Sequence, residues 1–387
     1  MDELRMVRTM LDRPAPDDAV VAKGRERLRT ATRGRRRTMP ARRTLWVTGG
    51  LGLTAATAAA AVAISTTGTT GTGGGGGGAG GPQAGRSTTR TLDARSILLA
   101  AATEADGQAD GTGGYWHTTI VDRDTYRVAD GGYTVVQQDQ REQWTPSLPG
   151  RPQWSSNRSL GARPATAADT AAWQRAGSPA TFKVKVPGKG LKPMTLSTKP
   201  GPTRVDRAPL DDGGHVFWLG RNVTMKDLRA LPADPKRLKA SLQRWYQGHG
   251  TESSSEPMSS DLWLYTVAKG LITEMPATPK VRGAAFRMLA DLRAVRAIGQ
   301  VKDARGRSGA AIAVTERTAR AGTLEHRLII DTAAGRALGE DIVLVKPGGF
   351  TTGFAPGSVW TSSTVVTQGW TASAPTKATG SQGGSGR

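Results

Sequence analysis

"AVRAIGQVKDARGRSGAAIAVTERTARAGTLEHRLIIDTAAGRALGEDIVLV", residues 294 to 345, is the stretch whose reading decides the fold. The runs AVRAIGQVKD, GAAIAVTE, EHRLIID and ALGEDIVLV are short and rich in β-branched and apolar residues. Glycine-bearing turns such as DARGRSG and DTAAGR separate them. Strand, turn and strand in that order predict hairpins, and four in succession predict an antiparallel meander. SVWTSSTVVTQGW (358 to 370) adds a further strand. Upstream lies a helical block. Pro235 opens one helix through Trp245, and Met258 to Met275 aligns Met258, Leu262, Tyr265 and Ile272 on one face. Lys280 to Leu292 repeats Val281, Ala285, Met288 and Leu292 at helical spacing. Earlier still, YWHTTIV, TYRVAD, YTVVQQDQREQW and PQWSSNRSL read as strands, with a turn at Pro149-Gly150. FKVKV and HVFWLG read the same way, and Leu92 to Ala105 reads as a helix. Strands, a helical insert and more strands predict one α+β domain over residues 92 to 372, built on an antiparallel sheet.

The chain before that domain decides its location. Residues 44 to 64, TLWVTGGLGLTAATAAAAVAI, hold no charge for twenty-one positions. About 20 apolar residues cross the ~30 Å hydrocarbon layer of a bilayer. Gly50, Gly52 and Ala55 also fit a dinucleotide-binding turn, but no acidic residue follows until Asp93, so the context for a cofactor is missing. Ala61-Val62-Ala63 resembles a cleavage site, but sixty-three residues would precede the cut, and secretory signals place about 15–30 there. An uncleaved transmembrane helix is therefore expected. Residues 1 to 43 carry thirteen Lys and Arg against six Asp and Glu, with Arg33, Arg35, Arg36, Arg37, Arg42 and Arg43 crowding the entrance to the apolar run. The positive-inside rule makes these arginines topology-determining: N-terminus cytoplasmic, everything after residue 65 extracytoplasmic. They also suit anionic headgroups. Leu4, Val7 and Leu11 fall on one face of a short helix that can lie on the membrane or dock a cytoplasmic regulator. Residues 65 to 91, with six consecutive glycines at 73 to 78, form a flexible linker reaching about 25–30 Å. Residues 373 to 387 are a polar, disordered tail.

Composition narrows the chemistry. Net charge is +21 and cysteine is absent, so disulfides, thiolate catalysis and zinc-thiolate sites are excluded. His117, His215, His249 and His326 are dispersed and form no metal-binding pair. Ser308 lacks a nucleophile elbow and reads as turn chemistry. The carboxylate pairs Asp122/Asp124 and Asp211/Asp212 read as turns and solvated loops. No catalytic, cofactor-binding or metal site is expected, nor a nucleic-acid partner. Ten tryptophans outnumber five phenylalanines. Trp116, Trp144, Trp154 and Trp218, with Trp360 and Trp370, fall on or beside strands, where they suit either ordinary packing or the lining of an apolar ligand site.

LPADPKRLKASL, then TPKVRGAAFRMLADLRAVRAIGQVKDARGRSGAAIAV, then LIIDTAAGRALGED resemble an uncharacterised actinobacterial family of single-pass membrane proteins. The resemblance covers nearly the whole chain. It implies a short basic cytoplasmic segment, one membrane helix and an extracytoplasmic α+β domain. Genes of that family often lie beside extracytoplasmic-function sigma factors, which implies envelope signalling. It brings no catalytic residues with it. The strand pattern is also similar to the half-barrel of lipoprotein carriers, a curved antiparallel sheet that cradles acyl chains. The expected function is therefore non-enzymatic binding or sensing in the envelope, linked to a sigma-factor-type regulator. The alternative is a carrier or scavenger of a lipid or other hydrophobic ligand.

Overall fold

In a computed structural model of the chain, the described residues are 93–186, 192–210, 212–250 and 257–378. The basic segment, including the six arginines expected to set the topology, the expected membrane helix, the linker and residues 379–387 lie outside them. Among the described residues, no helix is long and apolar enough to cross a membrane.

The chain opens with helix α1 (Ala94–Gly107), then strands β1 (Tyr115–Arg127), β2 (Thr134–Pro146) and β3 (Gln153–Pro164). Smaller elements follow: α2 (Ala167–Arg175), β4 (Thr181–Val184), β5 (Met194–Ser197), β6 (Arg204–Ala208), β7 (Phe217–Trp218) and β8 (Asn222–Val223). The helical block comprises α3 (Met225–Arg229), α4 (Pro235–Gln243), α5 (Ser260–Thr273) and α6 (Pro279–Ala290). The closing meander is β9 (Arg296–Lys302), β10 (Ser308–Thr318), β11 (Gly322–Asp331), β12 (Arg336–Pro347) and β13 (Val359–Thr371).

Nine strands form one antiparallel sheet in the order β6-β3-β2-β1-β13-β12-β11-β10-β9, so the fold is α+β. Two meanders, β1 to β3 and β9 to β13, are zipped together by the β1–β13 ladder, from Tyr115 opposite Thr371 to Asp124 opposite Thr361. YWHTTIV and TYRVAD are not two strands. Asp122, Arg123 and Asp124 lie inside β1, each paired on both sides, which corrects the turn expected at Asp122/Asp124. Polar partners on neighbouring strands make mid-strand charges tolerable there. Pairing slips by one residue at Thr119/Ile120, Gln138/Asp139, Ala311/Ile312, Ile329/Ile330 and Ile342/Val343. Each slip is a bulge that bends its strand and increases the twist. The twist carries the β9–β10 turn over β12 and β13, where Arg307 Nη2 donates to the carbonyls of Leu338 (3.1 Å) and Val365 (2.8 Å).

All the large helices pack on one face. Ser259 caps α5, Thr278 caps α6 ahead of Pro279, and Asp234 caps α4 ahead of Pro235, each accepting an orphan backbone N–H of the first turn. The core joins Leu98, Leu264, Leu271, Phe286 and Leu289 to Ile312, Leu328 and Ile330 of the sheet. Every residue of α5 from Leu262 to Thr273 is buried, because it lies between the sheet and the other helices. The β11–β12 turn meets α1 at Gly335 (φ 59°), where a Cβ would stand 2.3 Å from Ala105 N. A second cluster on the same face packs Tyr126, Val135 and Ala162 under the β4–β5 hairpin and α2.

Candidate functional site

Cross-strand partners share a face of a sheet, so the ladders define two rows across its waist. Beneath the helices stand Glu340, Ser363, Asp122 and Asp139 in register. Their charges are answered. Lys269 Nζ of α5 is 2.5 Å from Glu340 Oε2, and the Tyr265 hydroxyl is 3.3 Å from Glu340 Oε1. His326 lies 3.5 Å from Glu340 and 2.9 Å from Glu316. Burial alone would raise the pKa of Glu340, but Lys269 and His326 hold it down at about 2. Burial likewise opposes charge on His326, and the two glutamates still raise it to about 9. Arg141 donates to Asp122 (2.7 Å) and reaches Glu274 at 3.5 Å, while Ser363 donates to Asp122 at 2.5 Å. Burial works against the Arg141 charge, and those two acids more than restore it. Asp139 is raised by burial, with Gln137 donating to it. This row is a neutralised network that ties α5 to the sheet.

Among the described residues, no helix covers the opposite face. Its row reads Arg327, Asp341, Ser362, Arg123 and Gln138 on five adjacent strands. Toward β9 the charges are matched: Glu325 is held by Arg296 and Arg327, and Asp303 by Arg307 at 2.6 Å. Asp341 is pushed up to about 6, burial outweighing the nearby Arg327. Toward β3 the balance changes. Arg163, one position along from the row and diagonal to Arg123, has its Nε and Nη2 3.1 Å from the side-chain oxygen of Gln138. Among the described residues neither Arg123 nor Arg163 makes an ion pair, and Arg123 Nε is buried with no partner. Burial first, and then Arg163, lower the Arg123 pKa from its ordinary value, although Asp341 and Asp303 oppose this. Ser362, buried, adjoins Arg123 on one side of the row and Asp341 on the other, and its hydroxyl hydrogen bond helps hold the Asp341 carboxyl down. The arrangement leaves two guanidinium groups without ion pairs near one another on this face, with Arg163 engaged by Gln138 through Nε and Nη2.

The tryptophans are not gathered into one lining. Trp116 lies on the helix-covered face, edge-on to Trp370 at 5.3 Å, and its Nε1 donates to the Glu274 carbonyl at 2.6 Å. On the opposite face, Trp144 stacks on His117 at 4.5 Å, opposite Trp154, which carries Arg207 over its ring at 5.6 Å. Trp218 meets Trp263 of the helical block at 5.9 Å, and Trp360 meets Phe350 at 5.5 Å. Among the described residues, no group of three His, Asp or Glu is placed to hold a metal ion. Ser308 is the first residue of β10. Sequence reasoning passed over Arg123, Arg163, Asp341 and Lys269. The available signal was charge in mid-strand, as in IVDRDTY and LGEDIVL, where solvated turns place charge at strand ends instead.

No family model, no curated protein and no solved structure matches this chain.

Proposed function

We propose that this is a non-enzymatic, single-pass membrane-anchored protein of the cell envelope whose α+β domain binds or senses a ligand outside the cell. Residues 44 to 64 are its anchor, the arginines before them hold the N-terminus in the cytoplasm, and residues 1 to 43 engage a sigma-factor-type regulator. The bulged sheet is read as a half-barrel akin to that of lipoprotein carriers. One observation carries the binding role: the helix-free face retains two arginines without ion pairs, while beneath the helices Glu340 and Asp122 are paired with Lys269 and Arg141. An unpaired, partly buried charge costs stability, and sites that break the rules of stable folding are where function is expected. The dispersed tryptophans give the alternative, a carrier of hydrophobic ligand, no shared lining.

The test is topological and biochemical together. The protein should resist carbonate extraction, and protease added to intact spheroplasts should remove the domain while sparing a tag at Met1. Replacing Arg35, Arg36, Arg37, Arg42 and Arg43 by Glu should impair insertion or mix the orientations. Recovery of the intact protein in the soluble cytoplasmic fraction would sink this reading.

A further inference from the structure

Charge is unevenly spread in this domain. Residues 151 to 210 hold eleven Lys and Arg against two Asp and Glu. This stretch contributes β3, β6 and the β4–β5 hairpin, one end of the sheet. A field of one sign over a surface raises the local concentration and association rate of the opposite ion. Arg163 belongs to this stretch and is exposed, while Arg123, two strands further in across β2, is half-buried. Gln138 lies between them and directs its side-chain oxygen to Arg163. Arg123 Nε is buried without a partner, and Ser362 stands beside it on β13, between Arg123 and Asp341.

A guanidinium offers parallel N–H donors that match the oxygens of a phosphate or carboxylate. Two of them near enough on one face to repel, as Arg163 does Arg123, are relieved when an anion lies between them. The cost of keeping Arg123 desolvated beside Arg163 is recovered only when that anion is bound. We propose that Arg123 and Arg163, with Ser362 beside them, form an oxyanion-binding site on the helix-free face that takes a phosphate group. The phosphate is either free or carried in a lipid headgroup. This rests on the reading of the domain as a binding module, and it names the ligand chemistry.

The experiment uses the full chain in neutral detergent. Titration calorimetry with inorganic phosphate and with soluble dihexanoyl phosphatidylglycerol separates the two sources. Arg123→Gln and Arg163→Gln should each weaken binding about tenfold, the lower end expected for losing a hydrogen bond to a charged group. The double variant should abolish it. Arg175→Gln with Arg204→Gln removes the same charge from the same basic end, outside the row, and should leave affinity within about twofold, as for a screened surface charge. Binding of phosphatidylglycerol alone, lost in the double variant, assigns the headgroup; binding of both ligands assigns the phosphate itself. A second readout separates a site from a structural role: Arg123→Gln should melt at or above the wild-type temperature, because the removed charge has no partner. The proposal is overturned if neither ligand binds, if the double variant binds as well as wild type, if the control pair loses as much, or if Arg123→Gln melts well below wild type. An extracytoplasmic protein that binds no phosphate would lose this site but keep its proposed location, and a cytoplasmic one that binds it would do the reverse.

Discussion

Replacing Lys269 by Met keeps the aliphatic stem and removes only the ammonium that stands 2.5 Å from Glu340 Oε2. Both side chains are nearly inaccessible, at 6% and 8% exposure, so Glu340 would be left charged and without its principal partner in a medium that solvates it poorly. Breaking one side of a buried ion pair costs about 3–5 kcal/mol. His326 still faces Glu340 at 3.5 Å and is protonated at neutral pH, which places the expectation near the low end, about 3 kcal/mol. For a domain of this size, that loss lowers the melting temperature by about 6–12 °C. The double variant Lys269→Met/Glu340→Leu removes both charges and should regain most of the loss, with a coupling energy above about 2 kcal/mol. Urea unfolding of the detergent-solubilised chain at pH 7, followed by tryptophan fluorescence, measures all four corners of the cycle. A single-variant loss below about 1 kcal/mol, or a double variant no more stable than the single, would refute the argument that this pair bears on a desolvated charge.

The same network sets a pH profile. Glu340, held at about 2 against an ordinary 4.5, stabilises the fold above pH 4.5, and that contribution is lost as pH falls toward 2. His326, raised from 6.5 to about 9, contributes fully below pH 6.5 and loses its contribution as pH rises through 9. Thermal melting should therefore be most favourable between about pH 4.5 and 6.5; a profile flat from pH 3 to 9 would contradict it. Asp341 is displaced the other way, from 3.8 to about 6, so its ionisation costs stability as pH rises through that interval. Asp341→Asn should raise the melting temperature at pH 8 and leave it little changed at pH 3, and the opposite ranking would count against burial as the cause. Gly335→Ala would set a methyl 2.3 Å from the backbone of α1 and should cost about 3 kcal/mol, whereas Gly357→Ala (φ 81°), with open space around it, should cost about 1 kcal/mol for backbone strain alone. Urea midpoints of the two variants check this, and equal losses would mean that the turn on α1 yields.

The meander was legible because each of its strands is bounded by turn chemistry that acts locally, as in DARGRSG between β9 and β10. The helices α5 and α6 were legible from their apolar spacing, Met258, Leu262, Tyr265 and Ile272 in one and Val281, Ala285, Met288 and Leu292 in the other, whereas their caps Ser259 and Thr278 were passed over. The break expected inside β1 was wrong for a physical reason. Asp122, Arg123 and Asp124 look like a solvated turn in isolation, and only their partners Ser362, Ser363 and Arg141 make them strand residues. The short elements α2, β5 and β6 carry too few residues for a period to show. The zipper between β1 and β13 joins positions more than two hundred residues apart, and nothing local to either strand names its partner. The arginine site follows from that zipper and from the bulges, so it was invisible until the strands were placed side by side.

That β1–β13 ladder has a temporal consequence. The strand that completes the middle of the sheet, β13, follows every other described strand in the chain, so the first meander leaves the ribosome with an open edge and waits for residue 371 before it can close. Pairing so distant in sequence makes for slow collapse. During that interval β1 exposes Trp116 and Ile120, the kind of surface on which nascent chains aggregate or recruit chaperones. A polypeptide threaded through a translocation channel must stay unfolded until it emerges. On the extracytoplasmic location proposed above, a domain whose central seam cannot form until β13 has emerged would meet that requirement through its topology, without a separate device to delay folding.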